Sequence, residues 1–232
     1  AGIEPIFDLP GVGHHLMDHP AIQLRYEGSE ALTTGLDAFV NEGGMPREEG
    51  TIFLTRSTRC AGRYDLHLYP IAHRRAEGEW DISISAAVMA SRSTGVVRAT
   101  SVDPHAKPHI DHGYLTDDEG YDLDALVVAV SQIRKLASNE PLSSLLGPEI
   151  APGPPCVDHD AVREFIQIQG GHDYHPTSTC RMGPADDPGA CVDTQGILRG
   201  FSNVIVADAS IMPRVTVANT NLPAIAVAEK IV

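Results

Sequence analysis

Val204-Ile205-Val206-Ala207-Asp208-Ala209-Ser210 reads as an apolar strand that runs into an acidic turn, and Asn219-Thr220-Asn221-Leu222-Pro223 then opens a helix. Thr220 or Asn221 can cap that helix, Pro223 suits its first turn, and Ala224 to Ile231 is a good helical run. The start of such a helix leaves backbone N–H groups unpaired and carries about half a positive charge, so it favours an anion. Upstream lies Tyr174-His175-Pro176-Thr177-Ser178-Thr179-Cys180-Arg181-Met182-Gly183, a histidine in polar company. On its own His175 reads either as a core histidine bonded to a backbone carbonyl or as an acid/base, since imidazole titrates near neutrality.

The bounds set by composition are those of an ordinary globular chain. Its 232 residues can bury a substantial core, as one large domain or two small ones. With Lys+Arg 17 against Asp+Glu 31 the net charge is −14, which opposes phosphate backbones and anionic membrane surfaces, so no nucleic-acid partner is expected. No apolar run reaches the length of a membrane span, and Ala1-Gly2-Ile3-Glu4-Pro5 has no basic leader character; a cytoplasmic location is the default expectation. Cys60, Cys156, Cys180 and Cys191 lack CxxC spacing and are too sparse for a disulfide framework. A Cys180–Cys191 bridge stays open beside the alternative of buried free thiols.

From residue 21 to 101 the dominant period is two. Ile22, Leu24 and Tyr26, then Ile52 and Leu54, Leu66, Leu68 and Ile71, Ile82, Ile84, Ala86 and Val88, and Val97 and Ala99 read as strands with one polar face. Hairpin-like spacing predicts a mostly antiparallel sheet. Residues 28 to 50 read as a long, lid-type loop with one helical turn at most. Ile6-Phe7-Asp8-Leu9 is strand-like and Pro10-Gly11-Val12-Gly13 is a turn. Leu123, Leu126, Val127, Val130 and Ile133 fall at helical spacing, with Asp117-Asp118-Glu119 before them and Arg134-Lys135 near the end. Pro148 to Pro155 reads as a loop, and Asp158 or Asp160 caps a further helix that Gly170-Gly171 ends. His14, His15 and His19 lack a further spaced ligand, and Pro104 and Pro108 break any helix that would align the metal-like spacing of His105, His109 and His112, so no metal is expected.

Several motifs stand in a fixed order. They are Asp8-Leu9-Pro10-Gly11-Val12-Gly13 with Asp18-His19-Pro20, Gly95-Val96-Val97-Arg98 with Asp103-Pro104, Tyr114-Leu115, and the two C-terminal runs. Together they resemble the glucose-methanol-choline (GMC) oxidoreductases, FAD enzymes that oxidise alcohols. That resemblance implies an α+β fold: a mostly antiparallel substrate-binding domain over 21–170, with 1–20 and 171–232 completing a Rossmann-like FAD-binding domain whose main part is absent. No GxGxxG follows a strand here, and Gly11-Val12-Gly13 lacks the third glycine. The chain therefore looks like the C-terminal portion of such an enzyme, with the missing FAD-binding portion as its partner and a small alcohol as its substrate.

The resemblance also implies roles. His175 is the catalytic acid/base, and Asn219 is the second polar group, which steadies the substrate oxygen. Asp208, Ala209, Asn219, Thr220, Asn221 and Leu222 meet the FAD, and an anionic reduced flavin would suit the helix start. His172 does not match the acid/base position. Arg181 reads as half of an ion pair, and Arg214 stands where a smaller residue is expected, near the substrate entrance. Some family members keep FAD as a scaffold and cleave cyanohydrins, so a lyase remains an alternative, as does an isolated domain inactive without its other half.

Overall fold

The computed structural model describes residues 2, 4, 6–46 and 50–231. In chain order it contains β1 (His14–Leu16), β2 (Pro20–Gly28), α1 (Glu30–Asn41), β3 (Phe53–Thr55), β4 (Leu66–Arg74), β5 (Trp80–Val88), β6 (Gly95–Arg98) and β7 (His109–Asp111). There follow α2 (Tyr121–Ala137), α3 (Leu142–Leu145), β8 (Leu146–Ala151), α4 (His159–Gln169), β9 (Gly171–His172) and α5 (Asn221–Ile231). The fold is α+β with antiparallel sheets. Two compact units emerge: Ala1–His19, Met89–Gly120 and Asp173–Val232 form one, and Pro20–Val88 with Tyr121–His172 the other. Residues 89–120 thus leave the continuous 21–170 span and pack with the terminal segments.

The second unit is built on a sheet of order β3-β4-β5-β2-β8, with β9 pairing the start of β2. Alternation along β2 and β5 gives it two distinct faces. Ile22, Leu24 and Tyr26 lie opposite Ala86, Ile84 and Ile82, and Leu66 and Leu68 of β4 extend that apolar face. It is covered by α2, whose Leu126, Val130 and Ile133 are fully buried. Each such leucine or isoleucine contributes about 1.5–3 kcal/mol relative to an exposed position. Arg134 of α2 and Tyr26 of β2 share Glu149 of β8, which pins the helix to the sheet edge. The other face carries Gln23, Arg25, His73 and Ser83 and borders a cavity of about 660 Å³, closed by Phe165 and Gln169 of α4 and by Ala151, Pro152 and His172. The polar face is therefore not simply solvated, and Asp81, Ser83 and Ser85 on it are buried. Asp81 there takes both Arg25 at 2.6 Å and Arg75 at 3.1 Å.

Two expectations for this unit need correcting. The 28–50 segment is not a loop with one turn but mostly α1, twelve residues long, started by Ser29, whose hydroxyl accepts from Leu32 N. Gly35 in mid-helix and the absence of any buried residue in α1 hide it from a periodicity reading. Arg47-Glu48-Glu49 of that segment lie outside the described residues. Residues 148 to 151 belong to β8 rather than a loop, because an edge strand tolerates Pro148. The helix capped by Asp158 does form, as α4, with Gly170 at its end.

The first unit holds the three-stranded sheet β1-β6-β7. Its Pro10–Gly13 turn needs both glycines: a Cβ on Gly11 would meet Gly189 O at 2.3 Å, and Gly13 has φ +76° with Val97 O at 2.1 Å from a Cβ. No strand forms at Ile6–Leu9. The expected strand at Val204–Ala207 is reduced to a single bridge between Ile205 and Ile197, and Val204 and Ile205 are exposed. A strand needs a hydrogen-bonded neighbour along its length, and among the described residues this segment has that one. A small core of Cys191, Val192 and Ile211, with Cys180, Met182, Leu198, Val206, Val227 and Ile231 around it, seats α5. The expected helix and its start are as the sequence predicts, with Ala224 N donating to Thr220 O.

Candidate active site

His175 sits in a run that two neighbours bracket. On one side Thr177 exchanges both backbone hydrogen bonds with Met17, and Asp173 N donates to His19 O. On the other, Ser178, Cys180 and Met182 donate to Ala209, Ser210 and Ile211, the last three forming a short 3-10 turn. The histidine run is thereby laced between the Asp18-His19 motif and the acidic turn at Asp208.

Asp18 is the knot of this arrangement. Its Oδ1 accepts from the backbone N–H of His19 at 2.7 Å and of His175 at 2.8 Å, although the two lie one position and 157 positions away from it. Oδ2 accepts from the Tyr114 hydroxyl at 2.8 Å. Burial, and then the bond to Asp18, push the Tyr114 phenol well above its ordinary range, so it stays a donor. Tyr114 also meets His112 Nδ1 at 3.0 Å and stacks on that ring.

The two imidazoles so placed touch each other. His19 Nδ1 and His175 Nδ1 are 2.9 Å apart, with rings edge to face, and His19 Nε2 lies 2.9 Å from Thr216 O. Asp173 Oδ2 is 3.6 Å from His175 Nδ1. His19, Asp173 and His175 are all buried, and their donor atoms fall within 4.8 Å of one another, which is the outline of a metal site. The 2.9 Å between the two nitrogens is a hydrogen-bond length, whereas two ligands of one tetrahedral zinc stand about 3.3 Å apart. The two rings thus stand at hydrogen-bond distance.

The remaining expected residues fall as follows. Asn219 is half-buried, three positions after the Thr216 carbonyl that receives His19. Asp208 is exposed and caps the 3-10 turn through Ser210 N, and Ala209 beside it is half-buried. Thr220 is buried at the start of α5, while Asn221 and Leu222 occupy its exposed first turn, where backbone N–H groups have no intrahelical partner. The 3-10 turn packs on α5. An open helix start beside an acidic turn with a small residue fits a flavin dinucleotide. His172 belongs to the other unit and lines its cavity. Arg181 forms the expected ion pair, bidentate to Asp187, and holds that carboxyl below its usual range. Arg214 is exposed. All four cysteines are free, and burial pushes the Cys180 thiol up to about 12.

Asp173 and Thr216 carry no signal in the sequence, and Asp18 and His19 stand out there only as a motif and, for His19, as one of three nearby histidines. Asp18-His19-Pro20 was legible as a motif, but its partner is 156 positions away and no local pattern announces it.

A buried histidine pair beside an open helix start is the kind of site that a cofactor-dependent oxidoreductase uses. Comparison with known proteins gives the family: the profile described as GMC oxidoreductase matches residues 91–228, and the chain belongs to that family. It is 28% identical to choline oxidase of Arthrobacter globiformis over 229 residues, covering 99% of this chain and 42% of that protein. To the oxygen-dependent choline dehydrogenase of Staphylococcus haemolyticus it is 31% identical over 250 residues, covering 99% and 44%. Among solved structures, pyridoxine 4-oxidase from Mesorbium loti superposes with a TM-score of 0.80 at 24% identity, covering 100% of this chain and 45% of that one. Formate oxidase of Aspergillus oryzae, in a study of FAD modification, gives 0.78 at 18%, covering 99% and 48%. These last two likenesses concern the fold. The chain spans less than half the length of the relatives it matches. No helix among the described residues is long and apolar enough to cross a membrane.

Proposed function

We propose that this chain carries the acid/base half of an FAD-dependent alcohol-oxidising site. The observation that carries the reading is the buried His175, held at its backbone by Asp18 and at its ring by His19. His175 accepts the hydroxyl proton of the substrate, and Asn219 donates to the oxygen as it becomes alkoxide-like. Asp208, Ala209 and Asn219 to Leu222 hold the cofactor. Bound FAD supplies the hydride acceptor for the carbon-bound hydrogen. The sheet unit, Pro20–Val88 with Tyr121–His172, is the substrate-binding part, and the rest joins a FAD-binding portion that a longer polypeptide or a partner chain provides. The free thiols support a reducing, cytoplasmic setting.

The test is His175→Ala in the complete protein. Anaerobic flavin reduction by a substrate alcohol falls by about two orders of magnitude or more while FAD stays bound. An unchanged reduction rate would move the role elsewhere. A wild-type flavin band that never bleaches under any turned-over substrate would identify a lyase instead.

A further inference from the structure

The hydrogen bonds around His19 fix more than the position of His175. A carbonyl oxygen only accepts, so the 2.9 Å contact to Thr216 O requires a proton on His19 Nε2. A neutral His19 then has a bare Nδ1, and the 2.9 Å contact between the two Nδ1 atoms requires the proton to be on His175. Asp173 Oδ2, 3.6 Å from His175 Nδ1, is beyond hydrogen-bond length but faces the same nitrogen. A neutral His175 protonated at Nδ1 carries its lone pair on Nε2.

We infer that His19 is a positioning residue: through the Thr216 carbonyl it sets the tautomer of His175, leaving Nε2 as the atom that takes the substrate proton. The chain runs Thr216 C=O, H–Nε2 of His19, Nδ1 of His19, H–Nδ1 of His175. When Nε2 accepts the hydroxyl proton no proton along the chain has to move, and the ring becomes imidazolium with its Nδ1–H already paired to His19 and facing Asp173. The second arm of Asp18 serves the same end, since its Oδ1 holds the backbone of both histidines and so keeps the two rings in register. This inference rests on the acid/base reading of His175 only for its catalytic consequence; the tautomer itself is a property of the ring.

The experiment has two readouts on the complete, FAD-loaded protein. In 15N spectra of histidine-labelled enzyme, His175 shows a protonated Nδ1 and a bare Nε2. His19→Gln, whose amide can donate to Thr216 O and accept from His175 Nδ1, keeps that signature and keeps flavin reduction within about tenfold of wild type. His19→Leu turns the signature into a tautomer mixture and lowers the limiting reduction rate by about tenfold to 10³-fold, with substrate affinity nearly unchanged; loss of a tautomer-fixing partner costs as much as about 10⁴-fold in a serine-protease triad. A proton on Nε2 of wild-type His175 overturns the inference, even where the leucine variant does not fold, and so does a leucine variant with unaltered tautomer and rate. An active His175→Ala enzyme would instead remove the acid/base reading and leave the tautomer assignment standing.

Discussion

At the scale of single residues the site is held by groups that do no chemistry. Asp18 is buried and receives three donors, two of them backbone N–H groups, one from the adjacent His19 and one from His175 far along the chain. Tyr114→Phe removes the third. We expect a loss of about 1.5–3 kcal/mol in urea unfolding of the complete protein, the usual worth of a hydrogen bond to a charged group, with a much smaller effect on flavin reduction because both backbone bonds to Oδ1 remain. The thiols give a pH-dependent prediction. Burial, followed by the neighbouring Cys191, raises Cys180 from 9.0 to about 12, so the folded state binds its proton more tightly than the unfolded chain. The stability this contributes is complete below pH 9 and is lost as pH rises toward 12. In native protein at pH 8, iodoacetamide therefore modifies Cys180 far more slowly than in the unfolded chain; rapid native labelling of Cys180 would contradict this. What was legible here followed from local chemistry. His175 and Asp208 stand in motifs that the sequence displays, whereas the placement of His19 depends on a ring 156 positions away and on a carbonyl, which sequence does not mark.

At the scale of elements, a helix could be read from sequence where it buries a stripe. Thus α2 and α4 were predictable from apolar spacing and caps, and α1 was not, since none of its residues is buried. It is held from outside instead, by Trp80 Nε1 donating to Asp37 at 2.9 Å and by Arg74 at 3.4 Å from the same carboxylate. This difference separates two otherwise similar cap mutations. Ser29→Ala and Asp158→Ala each remove a side-chain acceptor worth about 1 kcal/mol. For Asp158→Ala the loss appears in global unfolding, because α4 buries Val162 and Ile166. For Ser29→Ala it appears as faster amide exchange across residues 30–41 with the global midpoint unmoved. Equal shifts of the global midpoint in both variants would show that α1 is coupled to the core after all. The Val204–Ala207 segment teaches the converse: its apolar pattern has strand character, yet pattern alone does not supply the neighbour that a strand requires.

Over the whole molecule, the division into units could not be read as a continuous span because residues 89–120 return to the unit of the two termini. That unit shows Val12, Val204, Ile205, Val217, Leu222 and Ile225 to solvent, and α5 buries none of its residues. The set includes the first turn of α5, where the cofactor is proposed to bind. The relatives are more than twice as long as the stretch matched here. If the additional portion covers this surface together with FAD, the 232-residue chain alone should bind an apolar reporter dye strongly and retain no flavin absorbance after desalting. Addition of a separately expressed FAD-binding portion from a GMC relative should lower dye fluorescence and yield a yellow complex in the same titration. The charge substitutions Leu222→Asp and Ile225→Asp should block both changes, while Phe53→Asp, at an exposed apolar position in the other unit, should block neither. A yellow complex formed with dye binding undiminished would mean that these residues face something other than the cofactor-binding portion.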